Sequence, residues 1–119
     1  MASTYDFSIQ KGADIALAFP AILDANGSPV DLTDYWAILQ CRQRPYERSP
    51  LFFQASTFDS RLLLSNPTAG VISLILANSL TSTFKWLRGF YDLDCISSDF
   101  KQSYFISGEI SIIQRVTVQ

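Results

Sequence analysis

Apolar residues recur at every second position through most of this chain, the spacing of a strand with one buried face. In "TYDFSIQ" (4–10), Tyr5, Phe7 and Ile9 alternate with polar neighbours. In "DIALAFPAIL" (14–23), Ile15, Leu17 and Phe19 share one face, and Pro20 predicts that regular pairing is disturbed from that point. "WAILQCRQ" (36–43) sets Ala37, Leu39 and Cys41 against Trp36, Ile38, Gln40 and Arg42. "LFFQAST" and "SRLLLS" follow as two short apolar runs of open register. "VISLILA" (71–77) is apolar on both faces, which suits a central strand. "RGFYDLDCIS" (88–97) turns Tyr91, Leu93 and Cys95 one way and Asp92 and Asp94 the other. In "QSYFISGEISIIQRVTVQ" (102–119), Tyr104, Ile106, Ile110 and Ile112 share one parity with Gly108 between them, while Ser107, Glu109 and Ser111 take the solvent side.

Turn chemistry separates these runs. "DANGSP" (24–29) holds Asn26 and Gly27, which reach positive φ at little cost, and Pro29, so a hairpin-type connection is expected. In "VDLTDY" (30–35), Asp31 or Thr33 can bond the backbone amides that follow. "RPYERSP" (44–50) reads as a polar loop and "NPTAG" (66–70) as another turn. One segment, "NSLTSTFKWL" (78–87), carries a helical signature, with Leu80, Phe84 and Leu87 at i, i+4, i+7 and Asn78 or Ser79 available as N-cap. The pattern predicts an all-β fold: an antiparallel immunoglobulin-like β-sandwich of about seven strands, with one short helical turn near 78–86. A small closed barrel satisfies the same periodicity.

Length and composition narrow the function. The 119 residues suit one domain spanning 1–119, and 48% hydrophobic residues with 13% aromatic are ample for one core. Only 17% are charged and mean hydropathy is +0.15, so apolar surface in want of a partner is expected beyond the core. A net charge of −2 and pI of about 4.8 disfavour nucleic-acid binding. The start "MASTYDFSIQ" lacks the marks of a secretory signal and no apolar run is long enough to span a bilayer, so a soluble product of the cytoplasm is expected. The chain has no histidine and two cysteines without CxxC spacing, and no metal or cofactor is expected. Cys41 and Cys95 both fall on inward parity, and a reducing cytoplasm predicts two free, buried thiols.

The succession "YDFSIQKGADIALAF", "DANGSPVDLTDY", "NPTAGVISLILANSLTSTF", "GFYDLDCIS" and "ISGEISIIQRVT" resembles small structural proteins of tailed bacteriophages and the immunoglobulin-like N-terminal domain of phage baseplate upper proteins. In those, a turn of the type D-x-x-G-x-P-x-D-L-T-G-Y, a "GxYxYDL" strand and a terminal "GxVxV" strand recur. The likeness runs from Tyr5 to Thr117. It departs at Asp34, where glycine is common, and in a longer middle segment, 44–65. The resemblance implies a non-enzymatic virion component, made in the host bacterial cytoplasm, that serves as a tail, baseplate or fibre-attachment adaptor. A capsid cement protein is the alternative within that class, and a carbohydrate-binding module using exposed Trp86 or Tyr46 the alternative outside it. Expected partners are other virion proteins, with a homo-oligomer allowed and neither nucleic acid nor membrane.

No residue set spells out catalysis. Asp92 and Asp94 share a strand face, but the sequence supplies no partner or pocket that would raise one pKa, so a solvated face is expected. Arg44, Tyr46 and Arg48 form, with Arg42, the basic cluster of the chain, suited to pairing with carboxylates of a neighbour. Phe52, Phe53, Trp86 and Phe90 are large aromatics whose parity or loop position conflicts with burial. Together these seven residues are the expected protein interface.

Overall fold

The computed structural model describes residues 2–46 and 48–114. Among the described residues nine strands form in chain order: β1 (Ala2–Thr4), β2 (Phe7–Gln10), β3 (Ile15–Ala18), β4 (Tyr35–Arg42), β5 (Leu51–Ser56), β6 (Leu62–Asn66), β7 (Val71–Leu76), β8 (Arg88–Ser97) and β9 (Ser103–Ile113). The larger sheet runs β1-β9-β8-β4-β5 with β2 also on β9, and the smaller runs β3-β7-β6. The chain passes between sheets after β2, β3, β5 and β7, which is the immunoglobulin-like sandwich. The facing sides make one core, with Leu39, Leu93 and Ile106 of the larger sheet and Leu62, Leu74 and Leu76 of the smaller all at most 2% exposed. The final "RVTVQ" (115–119), including the end of the expected terminal strand, lies outside the described residues.

The buried faces of the strands follow the period-2 alternation. Ala37, Leu39 and Cys41 are buried on β4, and Tyr91, Leu93 and Cys95 on β8. Turn chemistry also acts as expected: Gly27 sits at φ 80, and Asp31 Oδ1 accepts from the Thr33 amide at 3.0 Å and the Thr33 hydroxyl at 2.6 Å. Asp34 follows at φ 68, in the left-handed region where glycine is favoured. "NPTAG" forms a 3-10 turn closed by Gly70 at φ 73, where a Cβ would lie 2.7 Å from the Ile22 carbonyl.

Two expectations are corrected, at the opening strand and at the helix cap, and two others take a more definite form. The opening strand is not one antiparallel run: β1 and β2 both pair parallel to β9, and the chain breaks between them at Tyr5–Asp6. As expected ahead of Pro20, the strand begun at Ile15 ends early, at Ala18, with the Phe19 amide still donating to the Ile72 carbonyl at 2.9 Å. β7 is central in its sheet, as expected, and on its outer face Ile75 is exposed. The helical turn, α1 (Asn78–Thr81), is not capped by Asn78 or Ser79; Ala77 holds the N-cap position, and the Asn78 amide donates to Asp14 Oδ1 at 2.7 Å. A carboxylate 64 residues upstream thus does the work of a local cap.

Candidate functional site

The break between β1 and β2 is a built feature. The Tyr91 hydroxyl, on a buried ring of β8, donates to the Tyr5 carbonyl. Asp6 Oδ1 stands in for a ladder carbonyl and accepts from the Glu109 amide at 2.9 Å. Gly108 lies beneath them: a Cβ there would sit 2.1 Å from the Tyr5 carbonyl oxygen. The Tyr91 hydroxyl is held protonated well above the ordinary tyrosine range, chiefly by burial and then by the nearby Asp6 charge.

Beside this break, the outer face of the larger sheet is hollowed into a trough of about 510 Å³. Its floor follows the register of β4 and β8, with Arg42 beside Phe90, Gln40 beside Asp92 and Ile38 beside Asp94. Arg44 and Tyr46, in the β4–β5 loop, form one end. That loop is tied by Ser49, whose hydroxyl donates to the Arg44 and Tyr46 carbonyls at 2.7 and 2.9 Å. Arg42 buttresses it by donating from Nη1 to the Ser49 carbonyl at 2.9 Å. Asp92 and Asp94 were expected on a solvated strand face; both are exposed, but they line a concavity. The Asp94 carboxyl is raised above its usual range, first by desolvation and then by the Asp92 charge.

At the same end of the strands, a second cluster forms at the free edge of β5. Phe52 and Trp86 stack with centroids 4.8 Å apart and planes 8° apart, and Phe53 and Phe84 pack against the same indole at 6.1 and 5.1 Å. Parity alone would send Phe52 and Phe53 to opposite faces. A β-bulge resolves this: Cys41 pairs with Phe53 and Arg42 with Leu51, leaving Phe52 as the extra residue, so both rings reach Trp86. Phe53 is 6% exposed and belongs to the core, whereas Phe52 and Trp86 are half-buried. The Trp86 Nε1 is buried and has no acceptor among the described residues.

The seven expected interface residues therefore do not form one patch. Phe52, Phe53 and Trp86 meet at the β5 edge, and Phe90, Arg44 and Tyr46 meet in the trough. Arg48 is exposed in the β4–β5 loop and lines neither.

A third group was not expected from sequence. At the opposite end of β4, Trp36 lies 5.7 Å from Phe58 of the β5–β6 turn and 6.2 Å from Phe100 of the β8–β9 turn. Phe58 is 77% and Phe100 74% exposed, the highest values among the large apolar residues described. The available signal was a lone phenylalanine inside each of two polar turns, "STFDS" and "SDFK".

Both cysteines are free and buried, and burial pushes each thiol up to about 12. Cys41 pairs in register with Tyr91 and Cys95 with Ala37, four residues apart along β4. That is about 13 Å, beyond the reach of a disulfide. Among the described residues no cluster of three or more potential metal ligands occurs, and no helix is long and apolar enough to cross a membrane.

No protein-family model matches the sequence, and no curated protein matches it. Among solved structures, the chain is similar to a family 123 glycoside hydrolase from Clostridium perfringens, described for glycolipid glycan hydrolysis, at 9% identity and a TM-score of 0.37. The match covers 98% of this chain and 24% of the hydrolase chain, so this chain spans about a quarter of that enzyme's length. A likeness this low carries no argument about activity.

Proposed function

We propose that this protein is a non-enzymatic structural component of a tailed-bacteriophage virion, an immunoglobulin-like adaptor that joins neighbouring tail, baseplate or fibre subunits. The observation that carries the reading is the Phe52–Trp86 stack. It is half-buried on an edge strand, and its indole N–H is removed from solvent without an acceptor among the described residues. A partner strand added to β5 would supply backbone carbonyls there and cover the rings. Aromatic anchors beside an arginine-bearing loop are the composition of protein interfaces, and Arg44 and Arg48 stand on the loop that leads into β5. The family resemblance stated above supplies the virion context.

The test is to locate the chain in purified particles by cryo-electron microscopy. Copies in threefold or sixfold rings at the tail, with a neighbour seated on Trp86, are the expected result. Copies following the icosahedral lattice would make it a capsid cement protein. Absence from the particle overturns the virion reading and favours the carbohydrate-binding module, whose aromatic platform a Tyr46→Ala or Trp86→Ala change would abolish.

A further inference from the structure

The outer face of the larger sheet is divided along its strands. Toward one end it is apolar: Trp36 and Ile96 sit side by side, flanked by Phe58, Phe100 and Phe105, the last 45% exposed. Toward the other end it is the charged trough, with arginines on the β4 side and carboxylates on the β8 side.

The apolar end is held rigidly. Phe100 has φ 62, a conformation that a bulky residue adopts only when its surroundings enforce it. Its amide donates to the Ser97 carbonyl at 2.9 Å, and Asp99 Oδ1 accepts from the Ser97 hydroxyl at 2.6 Å and the Lys101 amide at 3.0 Å. Phe58 is fixed in the same manner, its turn closed by Asp59 Oδ1 accepting from the Ser56 and Arg61 amides at 2.9 Å. Rings presented this way lose little freedom when covered, which favours binding.

We infer that this face is where a second copy of the chain docks, through a two-fold axis lying between the two faces and parallel to the strands. Such an axis keeps each end of the face opposite the same end of its partner while exchanging left for right. Trp36, Phe58 and Phe100 of one copy then meet the same rings of the other. Along the strands Arg42 stands level with Phe90 and Gln40 with Asp92, and Arg42 Nη2 donates to Gln40 Oε1 at 3.3 Å, which carries its charge toward the level of the partner copy's Asp92. An axis across the strands would instead press rings onto charges, so complementarity selects the first arrangement. Four strands about 4.8 Å apart and about seven residues rising ~3.3 Å each give a footprint of roughly 450 Å² in projection. Side-chain relief and the two projecting phenylalanines bring this toward the roughly 600 to 800 Å² per partner of a specific but modest interface. A reversible dimer follows.

This inference does not rest on the virion reading, since it concerns the isolated chain in solution. Sedimentation equilibrium of the full chain from roughly 1 to 200 µM should show mass rising from 13.3 kDa toward twice that value. Phe58→Asp and Phe100→Asp change exposed ring positions and should each leave a folded monomer with an unchanged circular dichroism spectrum. Arg42→Glu and Asp92→Arg should each weaken dimerisation by about tenfold, and the two combined in one chain should restore it to within about threefold. A monomer at the highest concentration overturns the inference. So does a dimer indifferent to both phenylalanine changes, or a double charge variant no better than either single one.

Discussion

Replacing Gly108 by alanine tests the packing at the β1–β2 break most directly. The backbone there lies outside the left-handed region, so the substitution acts through space alone. Its Cβ would meet the Tyr5 carbonyl oxygen at 2.1 Å, the Tyr5 carbonyl carbon at 2.8 Å and Asp6 Oδ1 at 2.9 Å, so the break has to retreat by more than an ångström. Retreat separates Tyr5 from the Tyr91 hydroxyl and Asp6 from the Glu109 amide. The first loss costs about 1 kcal/mol and the second, to a carboxylate acceptor, about 1.5 kcal/mol or somewhat more. Against this stands about 0.5 to 1 kcal/mol of backbone entropy recovered by removing a glycine from a strand. The net is about 2 kcal/mol of destabilisation, or roughly 8 °C in Tm for a chain of this size. Urea unfolding followed by circular dichroism, with the m-value as a check on two-state behaviour, measures it. Tyr91→Phe alone should cost about 1 kcal/mol. Combined with Gly108→Ala it should add much less than that, because the alanine has already parted the bond. A Gly108→Ala midpoint indistinguishable from the parent, or full additivity of the two changes, refutes the reasoning.

Three further outcomes are expected. Asp34→Gly, at φ 68, should stabilise the protein by about 0.5 kcal/mol in the same urea assay, glycine's ease in this region being partly offset by its freer unfolded chain; a clear loss would show that the Asp34 side chain contributes more than its backbone costs. Asp94 binds its proton more tightly in the folded state, so its ionisation opposes folding as pH rises through the carboxylate range; Asp94→Asn should therefore be more stable than the parent at neutral pH and equal to it near pH 3, and the reverse order would contradict the partial desolvation and the Asp92 repulsion in the trough. Asp31 and Asp99 have the opposite sign, lowered by hydrogen bonds from Thr33 and from Ser97 and Lys101, and their contribution should vanish as pH falls through the same range. With both thiols pushed up to about 12, native protein at about pH 8 should resist iodoacetamide while urea-unfolded protein takes up two adducts; rapid native labelling, or a mass two hydrogens light, would count against two buried free thiols.

What was legible in advance was what near neighbours decide. The inward faces of β4 and β8 follow from period-2 alternation, because successive Cβ atoms in a strand point to opposite sides whatever lies beyond. The Asp31–Thr33 turn and the positive φ at Gly27 follow from chemistry spanning two or three residues. Even Asp34 stands out as the place where the turns it resembles carry glycine, and its φ of 68 lies in the region glycine favours.

The tertiary structure decided which distant segments meet. Alternation names the side of a strand but not its neighbour, so the placing of β5 in the larger sheet and β6 in the smaller stayed open, as did the parallel pairing of β1 and β2 with β9. The bulge at Phe52 depends on how β5 registers with β4, and it alone makes two adjacent phenylalanines share one indole. Asp14 caps a helix 64 residues away, Gly108 makes room for Tyr5 from the other end of the chain, and Trp36, Phe58 and Phe100 converge from three separate segments. Each of these is a contact between surfaces that exist only after the sheets have paired, and so the face-forming residues could be read from the sequence while the faces themselves could not.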